Sequence, residues 1–228
     1  MASNPILAFD CSTEYCSVAL RNGDIVSAKE IHADQRHSDL LLPMIDAVLA
    51  EAGVALKNLD AIAFGSGPGS FTGLRIACGV AQGLAFGANI SVLPVPTLLA
   101  LAQASDHARV LAVLDARMGE IYLAAYERVD GRWRVLISPC LCKPNAAPPL
   151  PEGAWTGVGS GFAAYAEVLQ QQFGAQLSSV DASRYPQARD IAQLAYERLC
   201  EAVSAENALP LYIRDKVAFT EQERRAGR

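Results

Sequence analysis

Residues 64–75 read FGSGPGSFTGLR, and this stretch decides the fold. The apolar run just before its glycines, residues 61–64, has the length of a buried strand, whereas residues 74–86 have the length and spacing of a helix. We therefore predict a strand-to-helix turn, called the glycine turn below. Four glycines within nine residues fit such a turn, because glycine permits positive φ angles and close backbone approach.

The glycine turn has two interpretations that its residues leave open. It is either a tight connection whose glycines serve geometry alone, or an anion site in which the amide groups of residues 70–74 meet a ligand at the positive end of the helix. Known phosphate-binding motifs do not decide between these two interpretations, because neither of them matches. The spacing is GxGxxxG instead of GxGxxG, and no Gly-Lys-Ser/Thr follows. The candidate anion-binding residues here are Gly67, Gly69, Ser70, Thr72, Gly73 and Arg75.

A second candidate for phosphate binding lies near the N-terminus. Residues 6–9 are an apolar strand that ends at Asp10, and Ser12 and Thr13 follow. A carboxylate at the tip of a buried strand, with two hydroxyls beside it, could hold a magnesium-bound phosphate; the same groups could instead cap the turn. The pair Asn22-Gly23 further on predicts a β-hairpin.

The second half of the chain repeats the pattern of the first. An apolar strand over residues 110–114 ends at Asp115, and a polar turn leads into another strand. This similarity predicts a duplicated unit. Strands in hairpins followed by strands alternating with helices are typical of an α/β protein with mixed sheets. We predict two lobes, residues 1–107 and 108–228, with residues 208–228 as a candidate to pack back on the first lobe.

The remaining elements follow from hydrophobic spacing. Short apolar runs predict strands, and apolar residues three or four apart predict helices. Residues 139–151 are rich in proline and are expected to be an extended surface connection. The predicted strands are 90–95, 133–138 and 155–158, the predicted helices are 98–104 (capped by Thr97), 162–173 and 190–202, and 209–214 is a strand or extended segment.

The helix after the glycine turn carries an unusual stripe. Gly79, Gly83 and Gly87 fall four apart, although each interior glycine costs about 1 kcal/mol relative to alanine. Small residues at this spacing let another helix approach closely. The approaching helix belongs either to this chain or to a partner, and the spacing alone does not choose between them.

Composition restricts the classes of function. With a net charge of -5, the chain lacks the basic face that usually clamps nucleic acid, and only residues 214–228 lean positive. Six cysteines without an export signal predict reduced thiols in the cytoplasm, and we predict no membrane span. His32, His37 and His107 lack the spacing of a three-ligand metal site, so we expect no metal.

Several blocks of the sequence resemble the TsaB (formerly YeaZ) family of bacteria. They occur in the family's order along nearly the whole chain, and GPGSFTGLR and DARMGE are the most specific. The resemblance implies an actin-like duplicated α/β fold (ASKHA, ribonuclease H-like) with two lobes, whose mixed sheets are flanked by helices. The matching blocks are ILAFDCSTEYCSVAL, HSDLLLP, FGSGPGSFTGLRIACGVAQGLAFG, LDARMGEIY and LPLYIRD.

The resemblance also implies a function. TsaB-like proteins help to make threonylcarbamoyladenosine beside the anticodon of tRNAs that read codons beginning with A. A larger paralogue, TsaD, transfers the threonylcarbamoyl group, and an ATPase, TsaE, joins the complex. The expected partners are therefore a TsaD-type transferase and a TsaE-type ATPase, with tRNA contacted only through the complex and a homodimer as a candidate state of the isolated chain.

The resemblance places the partner contacts on the first two predicted helices, over residues 39–52 and 74–86, and implies a scaffold rather than an enzyme. No two histidines of this chain have the HxxxH spacing with which TsaD binds its metal. Asp10, Ser12 and Thr13 match positions that hold phosphate in the superfamily, but the chain is short for a full adenosine-binding lobe, so we expect no cofactor. The rival hypothesis is an actin-like ATP-dependent kinase or a metallopeptidase-like enzyme. The predicted interface residues are Leu41, Ile45, Val48, Ile76, Gly79, Val80 and Gly83.

Overall fold

The computed structural model describes residues 4–214, and its first five strands form one mixed sheet. They are β1 (Ile6–Asp10), β2 (Tyr15–Asn22), β3 (Ile25–His32), β4 (Ala61–Gly67) and β5 (Ser91–Pro96). Their order is β3-β2-β1-β4-β5, and β1 pairs antiparallel with β2 and parallel with β4. The predicted Asn22-Gly23 hairpin is confirmed, because it joins β2 to an antiparallel β3.

The next five strands form a second sheet. They are β6 (Arg109–Asp115), β7 (Ile121–Val129), β8 (Arg132–Cys142), β9 (Trp155–Val158) and β10 (Leu177–Asp181). Their order is β10-β9-β6-β7-β8, with β6 antiparallel to β7 and parallel to β9. When the strands of each sheet are numbered from one along the chain, both sheets have the order 3-2-1-4-5. The predicted duplicated α/β fold is therefore confirmed.

The helices cover the sheets, and within residues 4–214 none of them is long and apolar enough to cross a bilayer. They are α1 (His37–Ala52), α2 (Phe71–Ala88), α3 (Thr97–Gln103), α4 (Gly161–Ala164), α5 (Ala166–Phe173) and α6 (Ala188–Glu197). The lobe boundary predicted after residue 107 falls between α3 and β6 and stays a prediction. Of the predicted positive tail, residues 215–228 lie outside the described part of the chain.

The core lies in three clusters that the two sheets separate. Ala8 of β1 and Ala112 of β6 belong to a central cluster, into which α3 and α6 also pack. Side chains alternate along a strand, so Leu7 of β1 faces the other way, toward α1 and α2. Leu111 of β6 likewise faces α5. The two lobes therefore share a core, and α6 packs on the first sheet although it comes late in the chain.

Element boundaries differ from the prediction where tertiary contacts override local signals. α1 begins at His37, so Pro43 lies in its second turn. The helix predicted over residues 162–173 is interrupted at Tyr165, whose φ is -133°. α6 ends at Glu197, β8 extends into the predicted proline-rich connection, and β10 was not predicted.

The glycine turn packs directly on the turn between β1 and β2. A Cβ added at Gly73 would lie 1.8 Å from the carbonyl oxygen of Cys11, and one added at Gly69 would lie 2.5 Å from that of Ser12. Backbone atoms cannot yield as a flexible side chain can. Both glycines are therefore required by close packing, which supports the geometric interpretation of this turn.

We predict that Gly73→Ala lowers the free energy of unfolding by about 3 kcal/mol, because the backbone at Cys11 must move to admit the methyl group. The matched control is Gly79→Ala on the same helix, where an added Cβ meets nothing within 4 Å. Helix propensity should make that control more stable by about 1 kcal/mol. Urea denaturation followed by circular dichroism measures both, and equal effects would contradict the close packing of the two turns.

Candidate functional site

A cleft of about 1010 Å³ opens between the two lobes at the turns that follow β1, β4 and β6. The glycine turn forms one wall, and the turn after β6 belongs to the other lobe. A concave site between lobes, with polar groups from both, is where a small ligand is usually held. Its lining includes Thr13, Ser70, Thr72, Asp115, Ser160 and Arg214.

Most amide groups predicted to receive an anion already have partners inside the chain. The Ser70 N–H donates to the Ser12 carbonyl at 2.7 Å. The N–H groups of Gly73 and Leu74 donate to the hydroxyl and carbonyl oxygens of Ser70 at 3.3 and 2.8 Å. The prediction of free amide groups over residues 70–74 is therefore wrong for three of the five, because the Ser12 carbonyl takes one of them and Ser70 accepts the other two.

Two side chains near the glycine turn have roles that differ from those predicted. The Arg75 guanidinium lies 3.7 Å from the centre of the Phe71 ring, and its Nε donates to the Tyr212 hydroxyl at 3.1 Å. Arg75 is thus held against aromatic rings of the chain itself. The Thr97 hydroxyl does not cap α3 but accepts the Gly67 N–H at 3.0 Å. Sequence reasoning missed this link, because no local motif joins residues so far apart.

Asp10 and the hydroxyls beside it cap their own turn. The Asp10 Oδ1 accepts the N–H and the hydroxyl of Ser12 at 2.9 and 2.7 Å, and the Thr13 hydroxyl accepts the Tyr15 N–H at 3.3 Å. The Asp10 Oδ2 has no hydrogen-bond partner within residues 4–214. It lies against Gly65, since a Cβ added there would be 1.8 Å from this oxygen. Of the two interpretations left open by the sequence, these contacts favour the cap.

Burial dominates the electrostatics of Asp10. The residue is only 1% exposed, and desolvation of the charged form raises the pKa of the carboxyl from its ordinary 3.8 to about 6. The two bonds from Ser12 lower the pKa but do not offset the burial. At neutral pH the carboxyl is therefore charged at a cost to the folded state.

Asp115 is the counterpart of Asp10 in the second lobe. Its Oδ1 accepts the Arg117 N–H at 2.8 Å, as the Asp10 Oδ1 accepts the N–H two residues on. The Tyr165 hydroxyl also donates to this oxygen at 3.2 Å, and the Arg117 guanidinium pairs with Oδ2 at 3.0 Å. The predicted repeat thus extends to the hydrogen bonds of the two turns.

The histidines do not come together. His37 is buried, and its Nε2 lies 3.0 Å from the Thr13 carbonyl oxygen. His32 pairs with Asp34 through Nδ1 at 2.8 Å. Within the described residues, no three His, Cys, Asp or Glu side chains form a group that could hold a metal ion.

The outward side of α2 is open. A Cβ added at Gly79, Gly83 or Gly87 would meet nothing within 4 Å. The interpretation that the stripe lets another helix of the same chain approach is therefore wrong for residues 4–214. The Phe86 side chain, on the same part of the helix, is 82% exposed.

The predicted contribution of α1 to a partner interface needs correction. Leu41, Ile45 and Val48 are fully buried against the first sheet and cannot touch another chain. That part of the prediction is wrong, because the apolar face of an amphipathic helix packs on the core of its own domain. Leu42 points outward instead and is 46% exposed.

Comparisons with known proteins agree on one family. A family model described as "TsaD: tRNA N6-adenosine threonylcarbamoyltransferase" matches residues 28–222. The chain is 38% identical to "tRNA threonylcarbamoyladenosine biosynthesis protein TsaB" of Escherichia coli (strain K12), over 94% of this chain and 96% of that protein. A relative of the same name from Haemophilus influenzae is also 38% identical, over 96% and 97%.

Solved structures from Pseudomonas aeruginosa agree as well. "YeaZ from Pseudomonas aeruginosa" has a TM-score of 0.81 at 40% identity, over 92% of this chain and 99% of that one. A crystal structure of an uncharacterized protein "with similarity to peptidase YEAZ" has a TM-score of 0.85 at 41% identity, over 92% and 100%. Two sheets of identical order define an actin-like duplicated α/β protein. Within that class, the chain belongs to the TsaB (YeaZ) family, among proteins with the TsaD-like domain.

We predict that Asp10 makes the protein less stable as the pH rises from about 5 to about 7.5. Because its pKa is raised in the folded state, the folded protein binds more protons than the unfolded chain, and this contribution is lost as the pH passes about 6. Between these two pH values, the free energy of unfolding of Asp10→Asn should decrease by about 1 kcal/mol less than that of the natural protein.

Urea unfolding of both proteins at the two pH values measures this difference. The other titrating groups contribute equally in both proteins, so their contributions cancel in this difference. Asp190 is one of them, and its pKa is also raised to about 6 by burial. Equal decreases in the two proteins would mean that Asp10 ionises in the folded state as it does in the unfolded chain.

Proposed function

We propose that this protein acts in tRNA threonylcarbamoyladenosine biosynthesis as a non-catalytic subunit. It binds a TsaD-type transferase and activates it to modify the adenosine beside the anticodon of tRNAs that read codons beginning with A. The names of the relatives that it matches along nearly their whole length support this pathway. The observation that carries the subunit role is the open, glycine-lined side of α2.

The open side of α2 is costly for the isolated chain. Each interior glycine disfavours the helix by about 1 kcal/mol relative to alanine, and Gly79 and Gly83 gain no contact within residues 4–214 in return. Glycines four apart instead allow the backbone of a second helix to approach. An outside partner therefore explains a pattern that the packing of the described chain does not.

The composition of the surface fits a protein partner. Residues 76–88 contain no charged side chain, whereas ordinary exposed helix faces are rich in charge. Ile76 and Val80 are half-buried beside the glycines, and Phe86 projects into solvent. A contiguous exposed apolar patch marks an interaction site. The proposed interface consists of Leu42, Ile76, Gly79, Val80, Gly83 and Phe86.

The polar groups of the chain support a role without chemistry of its own. The three histidines lack the HxxxH spacing, and the aspartates of the two turns bond to their own turns. A net charge of -5 suits a subunit that meets tRNA only through the complex. The subunit would work in the cytoplasm, need no cofactor, be joined by a TsaE-type ATPase, and pair with itself through the same surface when the transferase is absent.

We predict that Gly79→Leu and Gly83→Leu abolish the complex with a TsaD-type transferase, because the leucine fills the space that the partner helix needs. The affinity should fall at least about a hundredfold. Size-exclusion chromatography and calorimetry of the mixed proteins measure binding, and circular dichroism checks the fold of each variant. The matched control is Ala166→Leu, an exposed helical position in the second lobe.

Normal binding by both variants would place the interface elsewhere. Threonylcarbamoyl transfer, ATP turnover or peptide cleavage by the purified chain alone would contradict the non-catalytic role and favour the enzyme hypothesis. The test therefore separates the scaffold from a kinase or a peptidase.

A further inference from the structure

The segment 208–214 crosses from the first lobe to the second in an extended form without regular secondary structure. At its start the Ala208 carbonyl accepts the Cys78 thiol at 3.2 Å and the Gln82 side-chain amide at 2.9 Å, both from α2. The Leu211 N–H then donates to the Ser66 carbonyl at 2.7 Å, at the end of β4. The segment is thus tied to the first lobe at two places.

The same segment packs on the glycine turn. A Cβ at Gly67, whose φ is +116°, would lie 2.7 Å from the Leu211 carbonyl oxygen, so only glycine lets the segment lie this close. The Tyr212 ring lies 5.7 Å from that of Phe71, and its hydroxyl accepts the Arg75 Nε–H. These contacts give Gly67 a purpose that the sequence pattern left open.

The end of the segment is anchored in the second lobe. Ile213 packs against the central cluster of the core. The Arg214 guanidinium donates to the Ala116 carbonyl at 3.1 Å and to the Glu120 carboxylate at 2.7 Å. The Arg214 side chain is only 11% exposed. Removal of its guanidinium would therefore leave the Glu120 carboxylate unpaired at a partly buried site.

We infer that residues 208–214 form an interlobe strap that positions α2 relative to the second lobe, with Arg214 as its anchor. The strap contacts α2 at residues 71, 75, 78 and 82, which recur on one flank of the helix. The glycine stripe lies about 100° further around the helix axis. The strap therefore supports the helix and leaves its open side uncovered.

This inference adds a positioning element to the proposed function and rests on that function only in its last step. If the strap holds α2 in the geometry that the transferase binds, loosening it reduces the fraction of protein in that geometry. The apparent affinity then falls in proportion to that fraction. The transferase surface itself stays intact.

The test is Arg214→Met in the full-length chain, which keeps the aliphatic volume and removes the guanidinium. Hydrogen–deuterium exchange should show the amide of Leu211 and those of the turn over residues 116–120 exchanging about tenfold faster than in the natural protein. Affinity for the transferase should fall about fivefold. The matched control is Arg117→Met in the same turn, because that side chain is 81% exposed and, among residues 4–214, forms an ion pair only with Asp115.

Unchanged exchange at Leu211 in the variant would overturn the strap. Faster exchange with unchanged affinity would overturn its effect on α2 and leave the proposed function standing. If the natural protein fails to bind the transferase, the proposed function fails, while the exchange data still decide the strap. Should Arg214→Met not fold, Glu120→Gln serves in its place, because it removes the charge of the same pair and keeps a hydrogen-bonding oxygen.

Discussion

The close backbone contact between the glycine turn and the carbonyl groups of Cys11 and Ser12 is the constraint on which the first lobe depends. It joins the ends of β1 and β4, which are parallel neighbours, and within the same turn the Ser70 hydroxyl caps the start of α2. Because the first turn of α2 is held in this way, the direction of the helix is set. Ala77 and Ala81 then face the core, and the opposite side is left to solvent.

The aspartates at the ends of β1 and β6 show how the duplicated fold uses its polar groups in this chain. Each accepts a hydrogen bond from the N–H two residues on, so each closes its own turn. Asp10 is buried beyond the reach of the cleft, and Asp115 is shared between Arg117 and Tyr165. The two aspartates thus contribute to folding, whereas the glycine side of α2 makes no packing contact with the part of the chain that the structure describes.

Features with a local signal could be predicted from the sequence. The hairpin follows from Asn22-Gly23, the duplication from two apolar strands that end in aspartate, and the strand-to-helix turn from its glycines. Long-range contacts could not be predicted, since nothing near Ser70 indicates that its amide meets the Ser12 carbonyl. β10 was missed because its side chains are mostly exposed and lack an apolar run. The apolar face of α1 is predicted as a partner surface only through the family resemblance. Its hydrophobic spacing by itself indicates a face that packs on the core.

The sides of α2 have separate tasks, and this division explains its composition. One side packs on the sheet through alanine and leucine, and a neighbouring flank carries Arg75, Cys78 and Gln82 to the segment that leads into the second lobe. The third side needs neither volume nor charge, so glycine can remain there without loss of internal contacts. A helix held on two sides can bear the lower propensity of glycine on the third, because tertiary packing rather than propensity stabilises most helices in folded proteins. The open side is therefore a rigid surface, and a rigid surface loses little entropy when it binds.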